Sequence, residues 1–82
     1  MVTCQFSLYP LREPTLSPAL ERAMEGVRST GLTPRVGSMS TYIEGDEDAV
    51  FEALKRAFRA AAEEGELVLV ATVSNACRVP GP

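Results

Sequence analysis

The 82-residue sequence contains no histidine and no tryptophan, and it has only two cysteines. Without histidine, one chain cannot build the Ser-His or Cys-His pair that activates a catalytic nucleophile. Glycine-rich phosphate loops are also missing, because Gly26, Gly31 and Gly37 lack the spacing of a P-loop or dinucleotide-binding motif. The sequence therefore predicts a protein that is not an enzyme and that uses no cofactor and no metal ion.

Long apolar runs and an excess of positive charge are missing as well. No stretch approaches the roughly 20 apolar residues of a membrane helix. The N-terminus has neither the charged start nor the apolar run of a signal peptide. The net charge is −3 with Lys and Arg scattered, which argues against a surface that follows nucleic-acid phosphates. We therefore expect a cytoplasmic protein with no membrane insertion and no nucleic-acid partner.

The length fits one domain better than two. We place a single domain at residues 1–77 and interpret residues 78–82, which contain two prolines and a glycine, as a short tail. A domain of this size buries only about 60% of the surface of its unfolded chain, so its stability margin is small. Packing against further copies would add stability, and we expect a homodimer or a larger even oligomer.

Two helices are indicated by apolar stripes with start and stop signals at their ends. The first follows Ser17-Pro18, where serine can cap free N–H groups and proline suits the first turn, and it ends at Gly31. The second is capped by Asp46 and ends at Gly65. The predicted stripes are Leu20, Ala23, Met24 and Val27 in the first helix, and Val50, Phe51, Leu54, Ala57, Phe58 and Ala61 in the second.

Four strands complete the pattern. Residues 2–9 alternate between apolar and polar, and residues 32–36 and 39–44 are predicted to form a hairpin joined by Gly37-Ser38. With a last strand at residues 67–73, right-handed crossovers give a four-stranded antiparallel sheet of order 4-1-3-2, with both helices on one face. This is the α+β, ferredoxin-like βαββαβ fold. Its predicted core comprises Phe6, Leu8, Leu20, Met24, Val27, Val50, Leu54 and Phe58.

The last predicted strand is apolar at nearly every position. A strand covered by helices on one side only is expected to carry polar residues on the other. The helix-free face of the sheet is therefore predicted to be apolar along this strand. A second sheet packed against that face is the expected cover.

Small polar side chains converge around the central strand of the predicted sheet. They can be ordinary cross-strand pairs, or they can bind a flat heteroaromatic ligand that needs fixed donors and acceptors beside a soft apolar side chain. Composition leaves both interpretations open. The acidic run at residues 44–48 is interpreted as a solvated helix start rather than a metal site. The candidate ligand-binding residues are Gln5, Ser7, Ser38, Met39, Ser40, Thr41, Asp46 and Asn75.

Cys4 and Cys77 lie near the ends of two predicted neighbouring strands. The topology would allow a disulfide between them. In a cytoplasmic protein, two reduced and buried thiols are the preferred interpretation.

Four segments also carry a resemblance to a known family. In chain order they are Gln5-Phe6-Ser7-Leu8-Tyr9-Pro10-Leu11, Val36-Gly37-Ser38-Met39-Ser40-Thr41, Gly45-Asp46 with Asp48-Ala49-Val50-Phe51, and Thr72-Val73-Ser74-Asn75-Ala76-Cys77. Over residues 3–77 the sequence resembles the YkoF family of bacterial domains, which bind thiamin and its hydroxymethylpyrimidine moiety. Arg78 stands where that family usually has a proline.

The resemblance implies a ferredoxin-like fold, a binding role without catalysis, and a link to thiamin uptake, salvage or sensing. YkoF itself resembles two such domains in tandem, so a single domain here implies a homodimer. An aminopyrimidine offers ring nitrogens and an amine that the polar cluster can meet. Asp46 lies where it can favour a thiazolium cation, although solvent weakens this attraction. The alternative function is a ligand-free oligomerisation or regulatory domain that pairs through its sheet.

Overall fold

The computed structural model describes residues 1–12 and 17–76. Its sheet order is β2-β3-β1-β4 with every pair antiparallel, which confirms the predicted ferredoxin-like topology. The predicted side-chain cap at Ser17, the thiol of Cys77 and the tail at 78–82 lie outside the described residues. The elements are β1 (Val2–Pro10), α1 (Ser17–Arg28), β2 (Arg35–Val36), β3 (Thr41–Gly45), α2 (Glu47–Ala62) and β4 (Leu67–Ser74).

The helix ends follow the predicted signals. Asp46 caps α2, because its carboxylate accepts a hydrogen bond of 2.9 Å from the backbone N–H of Ala49. Gly31 and Gly65 follow the two helices with φ of 89° and 139°, a region where glycine is favoured because it has no Cβ. The Asp46 cap places the start of α2 directly after the end of β3.

The core lies between the helices and one face of the sheet. Alternation along β1 buries Cys4, Phe6 and Leu8 and leaves Gln5 and Tyr9 exposed, as predicted. Leu20 and Leu54 are partly buried against this core. The fully packed apolar residues are Val2, Cys4, Phe6, Leu8, Ala19, Ala23, Met24, Val27, Ile43, Val50, Ala53, Ala57 and Ala61.

The two phenylalanines of α2 correct the sequence-based interpretation. Phe58 was predicted in the core and is 45% exposed, and Phe51 of the predicted stripe is 52% exposed. The buried side of α2 instead consists of Val50 and the alanines at positions 53, 57 and 61. The helices approach so closely that a Cβ added at Gly26 would lie 2.7 Å from the carbonyl oxygen of Arg56. Small side chains are needed at that crossing, and the phenylalanines therefore lie on the helix flank.

The β2–β3 hairpin is shorter than predicted. The strands are Arg35–Val36 and Thr41–Gly45 rather than residues 32–36 and 39–44, and the connection spans residues 37–40. The N–H of Gly37 donates to the carbonyl oxygen of Ser40 at 2.8 Å and closes this four-residue loop. Pro34 lacks an N–H, which disfavours ladder pairing before Arg35. Met39 and Ser40 thus belong to the loop.

The apolar character of β4 on both sides is confirmed. Leu67, Leu69 and Val73 pack against the core, whereas Val68 and Val70 are 46% and 55% exposed on the side without helices. Within the described part of the chain, neither helix is long and apolar enough to cross a membrane.

Candidate functional site

The face of the sheet turned away from the helices is called the open face below. Cross-strand partners point to the same side of a sheet. Gln5 lies opposite Tyr42 of β3 and Thr72 of β4, and Ser7 lies opposite Val70. Through this register the open face comprises Thr3, Gln5, Ser7, Tyr9, Arg35, Tyr42, Glu44, Val68, Val70, Thr72 and Ser74.

The β2–β3 loop folds onto one corner of the open face. The hydroxyl of Ser7 donates to the carbonyl oxygen of Met39 at 3.2 Å. The hydroxyl of Ser40 donates to Oε1 of Gln5 at 3.5 Å. Four of the predicted site residues are therefore joined by these two contacts, and we call Gln5, Ser7, Met39 and Ser40 the hairpin corner.

The hairpin corner keeps hydrogen-bonding capacity for a ligand. The amide of Gln5 has two N–H donors besides the oxygen that contacts Ser40, and each serine hydroxyl retains acceptor capacity. Gln5 is exposed, and the Met39 side chain is 87% exposed at the tip of the loop. The corner thus combines neighbouring polar groups with a polarizable thioether, a combination that suits a flat heteroaromatic ring.

Tyr42 is a candidate site residue that the sequence analysis missed. It is half-buried on the open face directly opposite Gln5, with Arg35 on its other side. Its ring and phenolic hydroxyl add an aromatic surface and a polar tip next to the hairpin corner. Its position opposite Gln5 can be inferred only when residues 2–9 are aligned in register with the third strand.

Ser38 and Thr41, the other two predicted site residues of the hairpin, lie outside the hairpin corner. Ser38 is exposed in the β2–β3 loop next to Met39. Thr41 is only 3% exposed and pairs with Phe6, so it lies on the helix-covered side of the sheet. Because residues along a strand alternate between faces, Thr41 shares the helix-covered side with Ile43, while Tyr42 lies on the open face.

Asp46 and Asn75 lie at the other end of the sheet. Asp46 follows Gly45, the partner of Val2, and its carboxylate caps α2. Asn75 is exposed and follows Ser74, which pairs with Thr3. Thr3 and Ser7 are four residues apart along β1, or about 13 Å in a strand. The predicted polar cluster is therefore divided between two ends of β1.

The thiol that the structure describes lies in the core, away from the open face. Burial raises the pKa of the Cys4 thiol to about 11, so the thiol is protonated at neutral pH and lies in the core. Within residues 1–12 and 17–76, no group of three or more His, Cys, Asp or Glu side chains could hold a metal ion. What the open face offers is a set of hydrogen-bonding and aromatic groups for binding.

Comparison with known proteins gives a family match over nearly the whole chain. The sequence model of the YkoF-related family matches residues 1–81. No protein of curated function matches the chain.

Solved structures with the same fold come from bacteria and an archaeon. A domain of unknown function, DUF77, from Bacillus cereus is 28% identical with a TM-score of 0.75, and the match covers 89% of this chain and 73% of that one. A candidate thiamine biosynthesis/salvage protein from Thermotoga maritima is 26% identical with a TM-score of 0.75. This match covers 88% of the present chain and 80% of the Thermotoga chain. A hypothetical protein from Methanocaldococcus jannaschii has a TM-score of 0.81 at 22% identity, and the match covers 96% of the present chain and 84% of that protein. At this identity the similarity supports a shared fold and nothing more.

Proposed function

We propose a binding function without catalysis for this chain, which belongs to the YkoF-related family. Its ligand is thiamin or the hydroxymethylpyrimidine moiety of thiamin, and its role lies in thiamin uptake, salvage or sensing in the cytoplasm. The similarity to the Thermotoga maritima candidate thiamine biosynthesis/salvage protein supports this ligand class. The proposal needs neither a cofactor nor a metal ion.

The observation that carries the proposal is the hairpin corner. Ser7 contacts the β2–β3 loop and Ser40 contacts the Gln5 amide on an exposed, helix-free surface. An aminopyrimidine presents ring-nitrogen acceptors and an amine donor, which the Gln5 amide and the serine hydroxyls can match. Tyr42 and Met39 supply the surfaces on which the flat ring packs.

The thiazolium half of thiamin would extend along β1 towards its other end. Glu44 lies on the open face there, and Asn75 and Asp46 follow the adjacent strand ends. The carboxylates favour a cation, although solvent weakens the attraction. The free pyrimidine would then need the hairpin corner alone, whereas thiamin would use both groups of candidate residues.

A second copy of the chain covers the open face in this proposal. Tyr9, Val68 and Val70 are each about half exposed, and they lie on neighbouring strands of that face. Stacking two such sheets would bury these side chains and would shield the ligand from water. A homodimer or a larger even assembly follows.

Calorimetric titration with hydroxymethylpyrimidine, thiamin and thiamin phosphate tests the proposal. All compounds that carry the pyrimidine should bind the native chain. Ser40→Ala should weaken binding by about 1–3 kcal/mol, because a ligand group loses its partner. Its melting temperature should stay close to that of the native chain. The absence of heat with all three compounds would contradict the ligand assignment.

The second candidate function is ligand-free pairing through the sheet. The exposed Val68 and Val70 favour it, because they serve pairing equally well with or without a ligand. The titration separates the two candidates, since a dimer that binds none of the three compounds would favour the second.

A further inference from the structure

The two edges of the sheet differ in how they are protected against strand addition. The β2 edge has only two residues, Arg35–Val36, and it carries a charge and follows a proline. The β4 edge has eight residues, Leu67–Ser74, with no charged residue and no proline. Among the described residues, β4 pairs with β1 alone. Exposed edges of this kind readily accept another strand.

The flank of α2 extends the β4 edge into a groove. Phe51 and Phe58 are seven residues apart, so they lie on one side of the helix, and each is about half exposed. Phe58 lines a surface hollow together with Leu67 at the start of β4 and Leu11. Phe58 thus forms an apolar wall beside the start of the free edge, and Phe51 continues this wall along the same side of the helix.

Two positively charged side chains lie exposed next to this wall. Lys55 and Arg59 follow Phe51 by four and eight residues and are exposed. Neither has an ion-pair partner within the described part of the chain, whereas Arg56 pairs with Glu52. Glu52 also interacts electrostatically with Lys55 and Arg59, so three cations surround this one carboxylate, and Glu66 is paired with Arg12. In a chain of net charge −3, this groove therefore has a locally positive rim.

We propose that the β4 edge and the α2 flank bind an extended segment of a partner protein in which apolar and acidic residues alternate. The segment adds a fifth strand to the sheet beside β4. Its apolar side chains face Phe51 and Phe58, and its carboxylates lie within reach of Lys55 and Arg59. The surface is separate from the open face, and it does not depend on the thiamin assignment.

Charge complementarity favours such a partner over a second copy of this chain. The β4 strand is uncharged and would offer no carboxylate to the rim.

Fluorescence anisotropy with labelled ten-residue peptides tests this inference. The probes alternate valine with glutamate, or valine with lysine, and a third valine–glutamate peptide carries a central proline. The full chain should bind the first peptide saturably and the other two at least about tenfold more weakly. The double variant Lys55→Glu/Arg59→Glu should lose about tenfold for the glutamate peptide and should gain affinity for the lysine peptide.

Two single variants show whether the peptide binds at this surface. Arg28→Glu, an exposed change on α1, should leave peptide binding unchanged, whereas Phe51→Ala should weaken it without unfolding the chain. Equal affinity for the acidic and basic peptides would overturn the inference, as would indifference to the charge reversal. Association of copies through β4 that blocks the peptide would also overturn it. So would binding to phosphatidylserine vesicles instead of the peptide.

Discussion

The two faces of the sheet share the same strands, but one face is packed in the core and the other is exposed to solvent. On the helix-covered side of β1, Cys4 and Phe6 are at most 2% exposed and are surrounded by apolar side chains. One residue away, Gln5 faces solvent and contacts the β2–β3 loop through Ser40. Because neighbouring residues of a strand point to opposite faces, stability and recognition can change independently along one strand.

The largest expected effect is on stability, and it distinguishes a phenylalanine in the core from one on the flank of α2. Phe6→Ala should reduce the free energy of unfolding by about 3–5 kcal/mol, because it leaves a cavity in the packed core. Phe58→Ala should cost clearly less, since that ring is already 45% exposed. Urea denaturation of both variants measures the difference. Equal losses would show that the flank of α2 is packed as tightly as the core.

The next effect concerns the apolar part of the open face. Val70→Lys places a charge where the proposed sheet stacking would bury it, and burying an unpaired charge is strongly unfavourable. The variant should sediment as a monomer at tens of micromolar, while Arg59→Ala on α2 should sediment like the native chain. A native chain that is itself monomeric at this concentration would remove the argument for stacked sheets.

A smaller effect distinguishes the two ends of the open face. Gln5→Ala should weaken binding of both hydroxymethylpyrimidine and thiamin by about 1–3 kcal/mol. Asn75→Ala should weaken thiamin binding only, because Asn75 lies at the end of β1 away from the hairpin corner. Titration of both ligands into both variants provides the comparison. If Asn75→Ala lost affinity for the free pyrimidine and Gln5→Ala did not, the ring would bind at the end of the open face opposite to the one proposed.

The smallest expected effect tests whether Asp46 serves structure or ligand binding. Asp46→Ala removes the side-chain cap of α2 and should lower the free energy of unfolding by about 1 kcal/mol. Affinity for the free pyrimidine should not change, whereas thiamin affinity should fall slightly through the lost charge. Thermal melting and calorimetry follow the two quantities. A large loss of pyrimidine affinity would assign Asp46 to the ring-binding group.

Local signals predicted most of the fold. The alternation of residues 2–9, the cap at Asp46 and the glycines after both helices are short-range features, and the structure confirms them. The position of Phe58 depends on how closely the helices cross at Gly26, which is a long-range property. An apolar stripe wide enough to include phenylalanines and alanines does not reveal which of them face the core.

The sequence indicated which polar residues make up the candidate site better than it indicated how they are arranged. Gln5, Ser7, Met39 and Ser40 do come together, because strand pairing brings the hairpin beside β1. Thr41 lies in the core because it is the cross-strand partner of Phe6, and a run of small polar residues in the sequence does not reveal which of them face the core. Tyr42, the next residue along β3, lies on the open face opposite Gln5, and this position depends on the strand register.

Chemical-shift mapping with hydroxymethylpyrimidine tests the central claim most directly. The native chain, labelled with ¹⁵N, is titrated with the pyrimidine while its backbone amide signals are recorded. We expect saturable shifts at Gln5, Ser7, Met39, Ser40 and Tyr42, and unchanged signals along the exposed side of α1. Saturable shifts confined to the helices or to the β4 edge, or no shifts at all, would contradict a pyrimidine site on the open face.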